Sequence, residues 1–252
     1  MLHMISHGTP TALPPLLIAH GLYGSARNWG VIAKRLSDAR QVFAVDMRNH
    51  GQSPWEDGNS YPEMADDLAE VLHHIGPAHL LGHSMGGKAA MVLASMRPTL
   101  LKSVIVADIA PVAYARTQIG YIEALRAADL SGIEKRSDMA ARLEPVIDDP
   151  ALIPFFLQSL DVAERRWRLN LEALAGAMPD IMGFPTLEHA YEGPTLFLTG
   201  ATSEYVLPEY RPEIKRLFPA ARFAKIPGAG HWLHAEKPRE FEAAVRTWLE
   251  RI

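Results

Sequence analysis

The chain has 252 residues and no cysteine, which excludes disulfides, thiolate metal sites and a cysteine nucleophile. Lysine and arginine form no basic stripe and the formal net charge is -4, so nucleic acid is not an expected partner. No apolar run approaches the length of a membrane span. The opening Met1-Leu2-His3-Met4-Ile5-Ser6-His7-Gly8 lacks the basic start, apolar stretch and small-residue cleavage site of a signal peptide. A soluble, cytoplasmic protein is the expectation. His73-His74 and His234 lack the spacing and company of metal ligands, so no metal is expected.

What is present is apolar sequence in short, buried-type runs. Hydrophobic residues make up 48% of the chain, enough for one substantial domain with an insertion. Leu16-Leu17-Ile18-Ala19, Val42-Phe43-Ala44-Val45, Val104-Ile105-Val106-Ala107 and Leu196-Phe197-Leu198 read as strands covered on both faces. Helical patterns lie between them at about residues 25–36, 62–75, 84–96, 209–218 and 238–250. This alternation predicts an α/β fold with a mostly parallel, doubly wound sheet.

One stretch breaks the alternation. Residues 111–192 show no convincing buried strand, only helical segments such as Ile119–Ala128, Met139–Ile147 and Ala163–Ala175. The stretch leaves the sheet after the strand ending at Asp108 and returns before the strand ending at Thr199, so it is expected to lie over the carboxyl ends of the strands. The predicted organisation is a core of residues 1–110 and 193–252 with a helical cap of residues 111–192.

The most informative motif is Gly82-His83-Ser84-Met85-Gly86, a G-x-S-x-G pentapeptide. Alone it is weak, but here the strand Ala78–Gly82 precedes it and the helical stretch Lys88–Met96 follows, as a nucleophile elbow requires. Small residues at 82 and 86 answer a steric need where strand turns sharply into helix. A serine hydroxyl needs a base, and His231, in the Gly-rich loop Pro227–Trp232 after the last strand, is the candidate. Serine before histidine, with the histidine near the end, fits the hydrolase order of the triad.

The oxyanion formed at Ser84 needs two preorganised donors. The N–H of Met85 opens a helix and is one; the N–H of Leu22, in the loop His20-Gly21-Leu22-Tyr23-Gly24, is the expected second. His20 reads as a group that fixes this loop. For the acid that orients His231, two positions compete. The usual slot after the penultimate strand holds Ser203, with Glu204 one residue beyond it, whereas Asp108 ends the strand beside the nucleophile strand and is favoured.

Other residues are read as structural. Arg48, His50 and Ser53 sit in a polar loop where Arg48 ties backbone together. Trp55, Trp167, Phe155 and Phe156 read as ordinary packing aromatics, and Trp232, next to His231, is expected to line the substrate site. Lys88 stands a turn along a buried helix from Ser84 and is not expected to form a Ser-Lys pair.

Together these residues resemble the α/β-hydrolase superfamily, and more closely the YbfF-type carboxylesterases of bacteria and their eukaryotic abhydrolase relatives. The resemblance runs nearly end to end, through His20–Ser25, Asp46–Pro54, Gly82–Lys88, Asp108–Val112, Trp167–Asn170 and Gly228–Pro238. The Asp-Ile-Ala-Pro segment, after the sixth strand of the superfamily order, is where the subgroup carries its triad aspartate, which supports Asp108. The segment before Leu16 is short for the superfamily, so the leading edge of the sheet is expected to be one strand poorer. The resemblance implies hydrolysis of short to medium acyl esters, small-molecule substrates, with no metal or organic cofactor. A thioesterase or carbon-carbon bond hydrolase would use the same triad. A non-catalytic binding module of the same fold is disfavoured by the intact serine and histidine.

Overall fold

A computed structural model describes the whole chain, residues 1–252. Strands β1 (Met4–His7), β2 (Leu16–Ala19), β3 (Val42–Val45), β4 (Ala78–His83), β5 (Leu101–Ala107), β8 (Thr195–Gly200) and β9 (Ala221–Ile226) make one sheet, ordered β1-β3-β2-β4-β5-β8-β9. β1 pairs antiparallel with β3, and every other pairing is parallel. β2, β4 and β8 are buried at every position, as strands covered on both faces must be. β1 was not among the expected strands, because a half-exposed edge of mixed polarity carries no apolar run. It forms the leading edge of this seven-stranded sheet, and Asp108 accordingly follows the fifth strand here.

Side chains alternate across the sheet, so Leu17 and Ala19 enter one layer while Leu16 and Ile18 enter the other. Helices α1 (Gly30–Leu36) and α11 (Pro238–Leu249) cover the second layer through Ile32, Leu36, Phe241 and Trp248. On the opposite face lie α2 (Tyr61–Ile75), α3 (Met85–Met96) and α9 (Arg211–Leu217). α2 begins one residue before its expected start because Ser60 and Glu63 close a reciprocal capping box. No helix is long and apolar enough to cross a membrane.

Between β5 and β8 run α4 (Ile119–Ala127), α5 (Arg136–Leu143), α6 (Ile153–Phe156), α7 (Leu171–Gly176) and α8 (Met178–Met182). α5 starts earlier than the Met139–Ile147 pattern suggested, since the Asp138 carboxylate accepts the N–H groups of Glu134 and Lys135. The expected helix over Ala163–Ala175 is corrected more substantially. β6 (Leu160–Asp161) and β7 (Arg166–Trp167) form an antiparallel hairpin, with Arg165 in the left-handed region at φ 49°. Trp167 and Leu169 are buried at a period of two rather than 3.6, and the Asn170 side chain caps α7 only after them.

Parallel register brings the carboxyl ends of the strands to one edge. Pairing of Gly82 with Val106 and His83 with Ala107 sets Ser84 beside Asp108, and pairing of Ala107 with Leu198 brings the loop after β8 alongside. The loops after β2 and β9 open on the same edge, where such sheets carry their sites.

Candidate active site

Ser84 sits at φ 51° and ψ -118°, a strained conformation at the end of β4. The elbow is possible because its glycines let backbones touch. A Cβ on Gly82 would lie 2.2 Å from the Gly86 carbonyl oxygen, and one on Gly86 would lie 2.5 Å from the carbonyl oxygens of Ala19 and His20. Two hydrogen bonds hold the turn, from Ser84 N–H to Ala107 O and from Lys88 N–H to Ser84 O, each 3.0 Å.

His231 lies on the loop between β9 and α10 (Leu233–Glu236). That loop is drawn tight by Glu236, whose carboxylate accepts the N–H groups of Gly230 at 2.7 Å and Trp232 at 3.1 Å. The His231 Nε2 is 3.1 Å from Ser84 Oγ, and its Nδ1 is 2.8 Å from Asp108 Oδ2. A carboxylate only accepts, so Nδ1 carries the hydrogen and Nε2 is left as the acceptor for the serine hydroxyl.

Asp108 is fully buried and itself left-handed, at φ 53°. Its Oδ1 accepts the Gly200 N–H at 2.9 Å, and its Oδ2 also accepts the hydroxyl of Ser203. The residue in the slot after β8 therefore serves the carboxylate supplied from β5. Glu204 points away, its side chain 77% exposed and 3.8 Å from Arg116.

Leu22 and Met85 are buried beside Ser84, and neither N–H is hydrogen-bonded to another group of the protein. Buried N–H groups without partners are rare, and these two belong to residues that line the same small cavity as Ser84. The loop carrying Leu22 is fixed by two histidines. His20 accepts the Met47 N–H at 2.9 Å through Nε2 and donates to Gly21 O at 2.7 Å. His50 accepts the Tyr23 N–H at 3.1 Å and donates to Arg48 O at 2.8 Å. Arg48 grips Asp67 through two bonds of 2.6 and 2.9 Å, which holds the loop after β3 against α2.

The structure thus brings Ser84, Asp108, His231, Leu22 and Met85 together. Trp232 packs on Phe155, with centroids 4.4 Å apart, on His83, and edge-on against the His231 imidazole at 5.4 Å. Three contacts escaped the sequence reading. The Tyr205 ring stacks on the His231 imidazole at 3.9 Å, and Tyr114 Oη donates to Tyr205 O at 2.6 Å. His83 donates from Nε2 to the His231 carbonyl at 2.9 Å. Its place inside the pentapeptide was a signal for His83; nothing local marks the two tyrosines.

Burial also sets the charge of four histidines. Desolvation pushes the imidazoles of His20 and His79 down to about 4 and those of His50 and His234 to about 3. In the unfolded chain each titrates near about 6.5, so between there and about pH 4 the unfolded state binds more protons than the native one. Stability from these groups is complete above that window and is lost as pH falls through it, by about 1.4 kcal/mol per pH unit for each proton. Thermal unfolding followed by circular dichroism should show Tm dropping steadily from about pH 6.5 to about pH 4.5. A constant Tm over that range would contradict the neutral burial of these rings.

An elbow serine, a histidine-carboxylate relay and two free N–H groups at the end of a parallel sheet define a serine hydrolase, of the carboxylic ester hydrolase class. The sequence pattern of the Alpha/beta hydrolase family matches residues 16–244, and the chain belongs to that family. It is 42% identical to the sn-1-specific diacylglycerol lipase ABHD11 of Mus musculus, over 94% of this chain and 81% of that one. To the esterase YbfF of Escherichia coli strain K12 it is 38% identical, over 93% of this chain and 92% of the other. A solved marine microorganism esterase superposes with a TM-score of 0.92 at 38% identity, covering 98% of both chains.

Proposed function

We propose that the protein is a serine carboxylesterase that hydrolyses short to medium acyl esters of small molecules through an acyl-enzyme on Ser84. The observation that carries this reading is the continuous relay Asp108–His231–Ser84, with bonds of 2.8 and 3.1 Å, ending at a cavity lined also by Leu22 and Met85, whose N–H groups have no partner. Residues 111–192 act as a helical cap on a core of residues 1–110 and 193–252. In support, Tyr114, Gln118, Ile181 and Met182 of that segment line the cavity at Ser84.

Ser84 Oγ attacks the ester carbonyl carbon while its proton passes to His231 Nε2. The carbonyl oxygen becomes an oxyanion held by Leu22 and Met85, each such donor being worth about 3 kcal/mol of barrier. Collapse breaks the bond to the alcohol oxygen, which leaves with the proton from Nε2. Water then gives a proton to Nε2 and its oxygen to the acyl carbon, and the returning proton restores the Ser84 hydroxyl as the acid departs. Asp108 stays ionised throughout, holding the Nδ1–H tautomer and stabilising the imidazolium. The relatives named esterase and lipase support an ester substrate.

Labelling of the folded protein with a fluorophosphonate, read by peptide mass spectrometry, tests the reading. One adduct is expected, on Ser84, together with turnover of p-nitrophenyl acetate. Folded protein that forms no adduct would remove the serine-esterase assignment.

A further inference from the structure

The His231 imidazole is bonded at two edges and covered on a face. Nδ1 donates to Asp108 Oδ2 at 2.8 Å, and Nε2 accepts from Ser84 Oγ at 3.1 Å. The Tyr205 ring lies on it with centroids 3.9 Å and planes 22° apart. His83 and Trp232 adjoin the imidazole at 4.8 and 5.4 Å, but tilted by 39° and 70°. Of these three aromatic neighbours only Tyr205 is stacked.

Tyr205 is fixed from both sides of its peptide unit. Its carbonyl accepts from Tyr114 Oη at 2.6 Å, and that oxygen in turn accepts the Ala110 N–H at 2.9 Å. Its N–H donates to Ser203 Oγ at 3.2 Å, and the Ser203 hydroxyl donates to Asp108 Oδ2. The loop after β8 therefore serves the relay twice, through Ser203 on the carboxylate and through Tyr205 on the imidazole.

The second half of the reaction is where a stacked face matters. While Ser84 carries its hydrogen, the imidazole is held at both edges. Once Oγ is esterified it has no hydrogen to donate, and Nε2 loses that bond. The Nδ1 bond to Asp108 is then a single point about which the ring can tilt, just when Nε2 must take a proton from water as the water oxygen bonds to the acyl carbon. The stack on Tyr205 does not involve Oγ and persists. It keeps the plane of the imidazole fixed and sets an aromatic face against the imidazolium as it forms. Burial keeps His83 and His234 neutral, desolvation lowering both imidazoles, so neither adds a positive charge beside it.

We infer that Tyr205 is a positioning residue for deacylation, holding His231 by its stacked face after the bond to Ser84 is gone. The inference rests on the esterase reading and deepens it. The test is rapid mixing with p-nitrophenyl acetate of the wild type, Tyr205→Phe and Tyr205→Leu. The burst of p-nitrophenol reports acylation, and loss of acetyl from the Ser84 peptide, followed by mass spectrometry, reports deacylation. Tyr205→Leu should deacylate at least about tenfold more slowly, the scale of a lost desolvated cation–π contact, and acylation should slow less. Tyr205→Phe keeps the ring and should stay within about threefold of the wild type in both steps. Slower deacylation lowers KM together with kcat, whereas loss of a substrate contact raises KM, which separates this role from the place of Tyr205 in the lining of the Ser84 cavity. The ring is half-buried on a loop; circular dichroism checks the fold, and Tyr205→Met supplies a second ring-free variant if the leucine protein does not fold. Unchanged deacylation in a folded ring-free variant, acylation slowed as much as deacylation, or a phenylalanine variant as slow as leucine would overturn the positioning role and leave the esterase reading in place. A wild type with neither a burst nor a Ser84 phosphonate adduct would overturn both.

Discussion

Ser84→Ala should lower kcat on p-nitrophenyl acetate by about a millionfold, to a residue of catalysis from the oxyanion donors alone. The substitution removes one oxygen and nothing that supports the turn. Alanine keeps the Cβ that already occupies the left-handed region at φ 51°, so the backbone strain is unchanged. Both backbone bonds of residue 84, to Ala107 and from Lys88, survive. Turnover should therefore vanish while Tm measured by circular dichroism stays close to the wild-type value. A variant that keeps more than a few per cent of wild-type kcat would show that the nucleophile is elsewhere.

Asp108→Asn should lower kcat by about 10³- to 10⁴-fold with KM little changed. The native carboxylate accepts three hydrogen bonds, from Gly200 N–H, Ser203 hydroxyl and His231 Nδ1–H. An amide offers only one oxygen, and its NH₂ directed at His231 favours the tautomer with hydrogen on Nε2. That tautomer cannot take the Ser84 proton. Glu204→Gln is the matched control, because it removes a charge from the same edge of the sheet. Its pairing with Arg116 at 3.8 Å is fully on the surface, and exposed pairs contribute about 0–1 kcal/mol. It should change kcat by no more than about fivefold on that scale. The reverse result, a crippling Glu204→Gln and a mild Asp108→Asn, would move the acid to the loop after β8.

These experiments separate two residues that the sequence left in competition, and the reason for the competition is physical. A triad acid must reach His231 Nδ1 from across a strand end, and either of two adjacent strands can supply it. Asp108 became favoured because its strand was predicted to neighbour the nucleophile strand. What the string of residues could not express is that Ser203 turns toward Asp108 while Glu204 turns outward. The same limit applies to Trp232. Adjacency to His231 in sequence suggested a place beside the site, but it could not show that the indole would pack on Phe155 from the distant segment 111–192. Residues 163–170 of the expected helix Ala163–Ala175 failed differently: Trp167 and Leu169 alternate as in an extended chain, helix-forming composition hid that period, and the helix begins only at Leu171.

By itself the sequence determined the parallel α/β plan, the elbow at Ser84 and the loop that carries His231. Each of these is encoded locally, in apolar runs buried on both faces, in glycines where a Cβ has no room, and in turn residues at strand ends. Only the tertiary structure decided the direction of Asp108, the stacking of Tyr205 on the imidazole, and the size of the spaces around the serine. Those depend on side chains from separate segments meeting in space, as Ser203 meets Asp108 and Tyr205 meets His231. Distance in space between such segments is fixed by strand register and packing, which no local pattern records.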